Sequence, residues 1–138
     1  MSRILCNLLG TNSRYTMASA VSFTGDFDIT LKAWSDLDST RIMLGDNTSN
    51  QNFIALIAGE ILQIRIAGTD IASAGGVFIA KKYYTLRFTR VGTTVTGYLD
   101  GVSVLSGTKA GTFTLDAIGT YNSNALPWKG YIADVDLG

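Results

Sequence analysis

A chain of 138 residues with 46% apolar and 16% charged residues is too hydrophobic and too weakly charged to be disordered, and it is long enough for one domain burying roughly 70% of its unfolded surface. Its 11 basic and 11 acidic side chains cancel, which leaves no electrostatic footprint for nucleic acid or an anionic membrane, and no apolar run approaches the ~20 residues that span a bilayer. Cys6 is the only cysteine, so no intrachain disulfide can form, and the lack of histidine removes Ser-His-Asp and Cys-His nucleophiles and His-based zinc sites.

No segment carries a 3.6-residue apolar stripe. Glutamate occurs once and glutamine twice, whereas Thr, Ile, Val, Tyr and Phe are plentiful, a bias that suits pleated surfaces. Strands are predicted over 2–9, 15–23, 27–35, 40–45, 52–58, 61–67, 83–91, 94–100, 102–106, 113–119 and 129–137. In 27–35, Phe27, Ile29, Leu31 and Ala33 alternate with Asp28, Thr30, Lys32 and Trp34. The run 53–57 is apolar on both sides, which predicts a central strand covered twice, and Ala58-Gly59-Glu60 turns it into 61–67. Residues 45–52, 68–82 and 120–128 are the predicted long loops. About eleven short strands with turns every 8–12 residues imply a two-sheet sandwich.

The clearest element is 83–101. Tyr84, Leu86 and Phe88 point to one side, and Thr85, Arg87 and Thr89 to the other. Val91-Gly92-Thr93 turns the first run into the second. Asp100-Gly101 closes the second, because both residues tolerate positive φ.

Thr89-Arg90, Gly92, Val95-Thr96 and Tyr98-Leu99-Asp100-Gly101 together resemble the central hairpin of the laminin-G-like, concanavalin A-like jelly rolls. Gly25-Asp26-Phe27-Asp28-Ile29-Thr30-Leu31 is similar to that family's early strand. Ala117-Ile118-Gly119, with Trp128-Lys129-Gly130-Tyr131-Ile132-Ala133-Asp134-Val135, is similar to its closing pair. The resemblance implies an all-β, two-sheet antiparallel jelly-roll sandwich over 1–138. Residues 1–19 would be an N-terminal strand and contact segment, and 20–137 the family-like core. The fold serves glycan binding, adhesion, glycoside cleavage and particle decoration, and does not by itself choose among them.

The jelly-roll glucanases use two glutamates as nucleophile and acid, but Glu60 is the only glutamate and falls in a turn. Asp134 and Asp136 share a strand face and read as solvated residues, with acid–base work as the alternative. No enzyme is expected. Gly45 to Asn52 is rich in oxygen ligands, which keeps calcium open as an occupant, yet only Asp46 is charged there; no metal site and no cofactor are assigned. Tyr121, Asn122 and Asn124, joined by Asp46 and Asn47, supply an aromatic and planar amides, the residue types of a glycan site. Trp128 reads as core. Trp34 falls on the polar side of its strand, either covered by 68–82 or part of an exposed contact patch. Cys6 reads as a buried, inert thiol.

The expected function is a non-catalytic structural or decoration protein of a tailed-phage virion, with possible host-glycan binding. A stand-alone carbohydrate-binding module or adhesin is the alternative. The short apolar stretch Ile4-Leu5-Cys6-Asn7-Leu8-Leu9 does not read as a secretory leader, so synthesis in a host cytoplasm is expected. Capsid or tail proteins, homo-oligomerisation through Ile4, Leu5, Leu8, Leu9 and Trp34, and no nucleic acid or membrane complete the expectation.

Overall fold

The computed structural model describes residues 3–4, 14–36 and 38–138. They form twelve strands: β1 (Arg3–Ile4), β2 (Tyr15–Phe23), β3 (Phe27–Ser35), β4 (Arg41–Gly45), β5 (Phe53–Ile57), β6 (Ile61–Ile66), β7 (Thr69–Ala72), β8 (Tyr83–Val91), β9 (Thr94–Leu99), β10 (Val102–Thr108), β11 (Phe113–Ile118) and β12 (Gly130–Asp136). All pairings are antiparallel. One six-stranded sheet runs β1-β12-β3-β8-β9-β10 and the other β2-β11-β4-β5-β6-β7. The fold is the expected all-β jelly-roll sandwich.

Most strand ends fall within a residue or two of the alternation; of the strand expected over 2–9, all but Arg3–Ile4 lies outside the described residues. The segment 68–82 is the exception, since its first part is strand β7, paired to β6 from Ile66↔Thr69 to Gln63↔Ala72. Only Ile71 of β7 is buried, so four residues offered too little alternation to read. Much of the rest of that segment is irregular, and Phe78 plugs the core from within it.

The facing sides of the sheets supply the core. Ile29, Leu31, Leu86 and Phe88 from one sheet meet Leu44, Ile54, Leu56, Ile64 and Leu115 from the other. Trp128 is also fully buried, and its indole N–H donates to Trp34 O at 3.2 Å and Tyr131 O at 3.3 Å. That satisfies its one polar atom. β5 is covered twice, as its composition predicts. Its outward Phe53 and Ala55 form a second small cluster with Ile42, capped by Tyr121 and Leu126 of the 120–128 loop.

The inward parity of Tyr84, Leu86 and Phe88 continues to Arg90, which is 1% exposed. Its guanidinium lies 5.1 Å from the centroid of the Phe27 ring and donates to four carbonyls. These are Gly25 at 2.8 Å, Gly111 at 2.8 Å, Phe23 at 3.2 Å and Lys109 at 3.3 Å. Burial holds its pKa below the usual arginine value, against the opposing pull of Asp26. The carbonyl bonds offset that desolvation. One side chain thereby fastens the β2–β3 turn to the β10–β11 connection.

Candidate functional site

The two amide-rich loops do meet. Asn122 N donates to Asp46 O at 2.9 Å, Ser123 N to Asn47 O at 2.7 Å, and Asn124 N to the Asn47 side-chain oxygen at 2.7 Å. Asn47 N in turn donates to Asp116 Oδ1 at 2.7 Å. Asn122, Ser123 and Asn124 all have positive φ, a conformation Asn tolerates better than most residues. The 120–128 loop reaches β4 because residue 45 is glycine. A Cβ there would lie 2.4 Å from Thr120 O and 2.5 Å from Tyr121 Cβ.

The same bonds withdraw much of the cluster from a ligand. Asp46 is buried, and its Oδ1 accepts from Thr48 N at 2.9 Å and Thr48 Oγ1 at 2.6 Å, while Oδ2 accepts from Ser49 Oγ at 3.3 Å. With an N–H and a hydroxyl on Oδ1, a hydroxyl on Oδ2 and no second carboxylate in the loop, the residues here are poorly suited to a calcium ion. Among the described residues, no three acidic or cysteine side chains gather to hold a metal. Tyr121 packs edge-on against Phe53 at 5.2 Å, and Arg65 covers the Phe53 ring at 4.8 Å while paired to Asp70. Asn122 and Asn124 remain exposed. The loop cluster is chiefly a clasp over the second sheet.

The outer face of the first sheet is different. Register sets Tyr131 of β12 opposite Trp34 of β3, and Trp34 opposite Tyr83 of β8. All three point outward, and their rings converge. Trp34 lies 5.3 Å from Tyr131 and 6.1 Å from Tyr83, and the two tyrosine rings lie 6.3 Å apart with planes 13° from parallel. Tyr83 is 64% exposed. Trp34 and Tyr131 are half-buried, so of the three rings Tyr83 is the most open to solvent.

Polar rows continue down the same face. Lys32 lies between Ala133 and Thr85, and Thr30 between Asp136 and Arg87, with Tyr98 beyond on β9. Lys32 Nζ is 3.3 Å from Asp134 Oδ2. A register shift between Ala133 and Asp136, with Asp134 at φ +51°, turns Asp134 outward beside Asp136. Arg87 grips Asp28 through two bonds of 3.0 and 2.7 Å and lies 5.8 Å from the Tyr98 ring centroid. The bond to Arg87 lowers the Asp28 pKa, and the bond to Asp28 raises that of Arg87. Among the N-terminal contact candidates, Ile4 pairs through β1 with Val135. Leu5, Cys6, Leu8 and Leu9 lie outside the described residues.

A family model described as the concanavalin A-like lectin/glucanases superfamily matches residues 9–137. The chain belongs to that superfamily. Among solved structures of this concanavalin A-like fold, domains LG4-5 of the mouse laminin alpha1 chain align with a TM-score of 0.71 and 16% identity, over 99% of this chain and 42% of that one. The chain thus spans well under half of the laminin structure. The CBM40 of Ruminococcus gnavus IT-sialidase, bound to alpha2,3 sialyllactose, aligns with a TM-score of 0.66 and 9% identity over 93% of this chain and 92% of that one. The carbohydrate-binding module CBM66 from Bacillus subtilis gives 0.56 and 12% over 94% and 81%. At these identities the likeness establishes the fold. A search of curated protein sequences finds no significant match.

The carboxylates weighed for acid–base work each have a partner within the chain. Glu60, the one glutamate, sits in the β5–β6 turn and accepts from Ala80 N at 3.1 Å. Asp134 is engaged by Lys32, and Asp136 Oδ1 accepts from Gly138 N at 2.9 Å. The aromatic cluster escaped the sequence reading because its members come from positions 34, 83 and 131. Each is outward by alternation, but only cross-strand register brings them together.

Proposed function

We propose that this domain is a non-catalytic glycan-binding module whose site is the outer face of the β12-β3-β8 sheet. The observation that carries the reading is the convergence of Trp34, Tyr83 and Tyr131 on an open face, beside the Lys32–Asp134 pair. Sugar rings present C–H faces that stack on aromatics and hydroxyls that bond to polar neighbours, so a partly exposed aromatic cluster edged by polar groups suits them. The family and the two carbohydrate-binding modules among the structural neighbours support the same class. So does the occupied state of Asp46 and Asn47, which weakens the loop alternative.

The virion-decoration reading, with homo-oligomeric assembly on a capsid or tail, rests on composition and on an apolar N-terminal stretch outside the described residues. Its capsid or tail part draws no support from the neighbours, while an oligomeric pentraxin among them is compatible with self-association.

The test is a glycan array followed by calorimetry on the best ligand. Trp34→Ala and Tyr83→Ala should each weaken binding by tenfold or more, since a central aromatic anchor costs roughly 2 kcal/mol when truncated. Tyr121→Ala combined with Asn122→Ala should leave affinity within about twofold. Binding lost in that loop variant and kept in Trp34→Ala would move the site to the loops and sink the reading.

A further inference from the structure

We infer that the ligand is an extended, uncharged glycan chain lying along β3, rather than a terminal or acidic sugar. This rests on the glycan-binding reading and deepens it. A terminal sugar would need only the aromatic cluster, whose ring centroids lie 5.3–6.3 Å apart. The recessed surface of this face extends much further. Next to the cluster is a cavity of about 200 Å³ bordered by Lys32, Thr85, Asp134 and Asp136. It shares Thr30 and Asp136 with a second, of about 490 Å³, that reaches Asp28 and Arg87. The second shares Asp28 and Arg87 with a third, of about 750 Å³, which turns off this face round the β2–β3 end of the sandwich and is lined by Val21, Phe23 and Phe27 as well as Tyr98. The first two form one shallow groove on this face. With the aromatic cluster at one end, the outward row Trp34, Lys32, Thr30 and Asp28 takes six steps along β3, about 20 Å at ~3.3 Å per residue.

The lining indicates the chemistry. Between the aromatic cluster and Tyr98, the groove walls carry two cations, Lys32 and Arg87, and three carboxylates, Asp28, Asp134 and Asp136. Both cations are already ion-paired, Lys32 to Asp134 and Arg87 to Asp28. The balance along the groove is one negative charge. An acidic sugar would meet no free cation there and would face surplus carboxylate. Neutral hydroxyls, in contrast, find the second oxygens of Asp134 and Asp136 as acceptors and donors and acceptors on Thr30 and Thr85. Tyr98, half-buried and two strands across from Thr30, offers a second aromatic surface four residues of strand from the first, about 13 Å at ~3.3 Å per residue.

The experiment is calorimetry with neutral oligosaccharide ladders, cello-, xylo- and malto-, from disaccharide to hexasaccharide, alongside 3′-sialyllactose and oligogalacturonates. In the ladder that binds, affinity should rise about tenfold or more from disaccharide to tetrasaccharide and then level off. The acidic probes should bind more weakly than any neutral tetrasaccharide that binds. Trp34→Ala should weaken every length. Tyr98→Ala, with its melting temperature checked against the parent chain, should flatten the rise with length. Affinity independent of length, or an acidic probe binding best, would overturn this inference and leave the glycan-binding reading standing. Absence of binding to every probe and to the array would overturn both.

Discussion

Replacing Arg90 by methionine keeps the bulk of the side chain and removes every donor. In the folded chain those donors serve the carbonyls of Phe23, Gly25, Lys109 and Gly111. Removing one member of a buried charged network costs roughly 3–5 kcal/mol. Two of the four acceptors belong to the exposed residues Gly25 and Gly111, where water can take the place of the guanidinium. The carbonyls of the half-buried Phe23 and Lys109 are less easily rehydrated, and an unsatisfied buried acceptor costs about 1–3 kcal/mol. The low end of the range, about 3 kcal/mol, is therefore expected. For a domain of this length 1 kcal/mol moves the midpoint by roughly 4 °C, so Arg90→Met should melt about 12 °C below the parent. Arg90→Lys should recover only part of the loss, because a single ammonium cannot span two connections as a planar fork does. Calorimetric melts of the three proteins decide the matter. A drop under about 4 °C for Arg90→Met would mean the carbonyls find other partners, and the idea of a clamp between the two turns would be wrong.

Other expectations follow from the same packing. Leu86→Asp places an unpaired carboxylate at a fully buried site and should leave no cooperative melt, whereas Thr85→Asp on the exposed side should melt normally. Gly45→Ala forces its methyl into Thr120 O and Tyr121 Cβ. It should lift the 120–128 loop, seen as faster hydrogen exchange at Asn122 and Ser123 and a destabilisation of about 1–3 kcal/mol. The lowered folded pKa of Asp28 makes its stabilising contribution complete above the unfolded carboxylate value of about 3.9 and lost as pH falls through the folded value. Any difference in melting between the parent and Asp28→Asn should therefore be present at neutral pH and vanish in acid. A difference that grows on acidification would contradict the ion pair with Arg87.

Strands that alternate over several residues were legible in the sequence, because one face of each is buried and burial imposes period two. β8 shows this best, and its pattern also held the inward position of Arg90 for a reader willing to carry the parity through an arginine. β7 was hidden because four residues with one buried side chain carry too little pattern. The loop residues were recognisable as amides and an aromatic, and the two loops do come together. What composition could not reveal was that Asp46 and Asn47 bond to their own loops. A polar residue looks the same in a sequence whether its partner is a sugar or the next turn of chain. The aromatic cluster lay at the opposite limit. Trp34 was legible as outward, but its meeting with Tyr83 and Tyr131 depends on two registers between strands far apart in the chain.

Those registers also set the order in which the molecule can assemble. β3 is flanked by β8, reached only after four intervening strands, and by β12, the last strand of all. Loop closure over such separations makes folding slow, because chain entropy is lost before the distant pairing compensates it. During synthesis β3 emerges early and keeps one edge open until the C-terminal strand leaves the ribosome. An open β edge invites pairing with other chains, so the growing chain is most exposed to aggregation just before β12 docks. The proposed groove, bounded on one side by Tyr131, Asp134 and Asp136, comes into existence with that final pairing. A glycan acting on this face would stabilise the finished sandwich by mass action and would have nothing to grip in any earlier form of the chain.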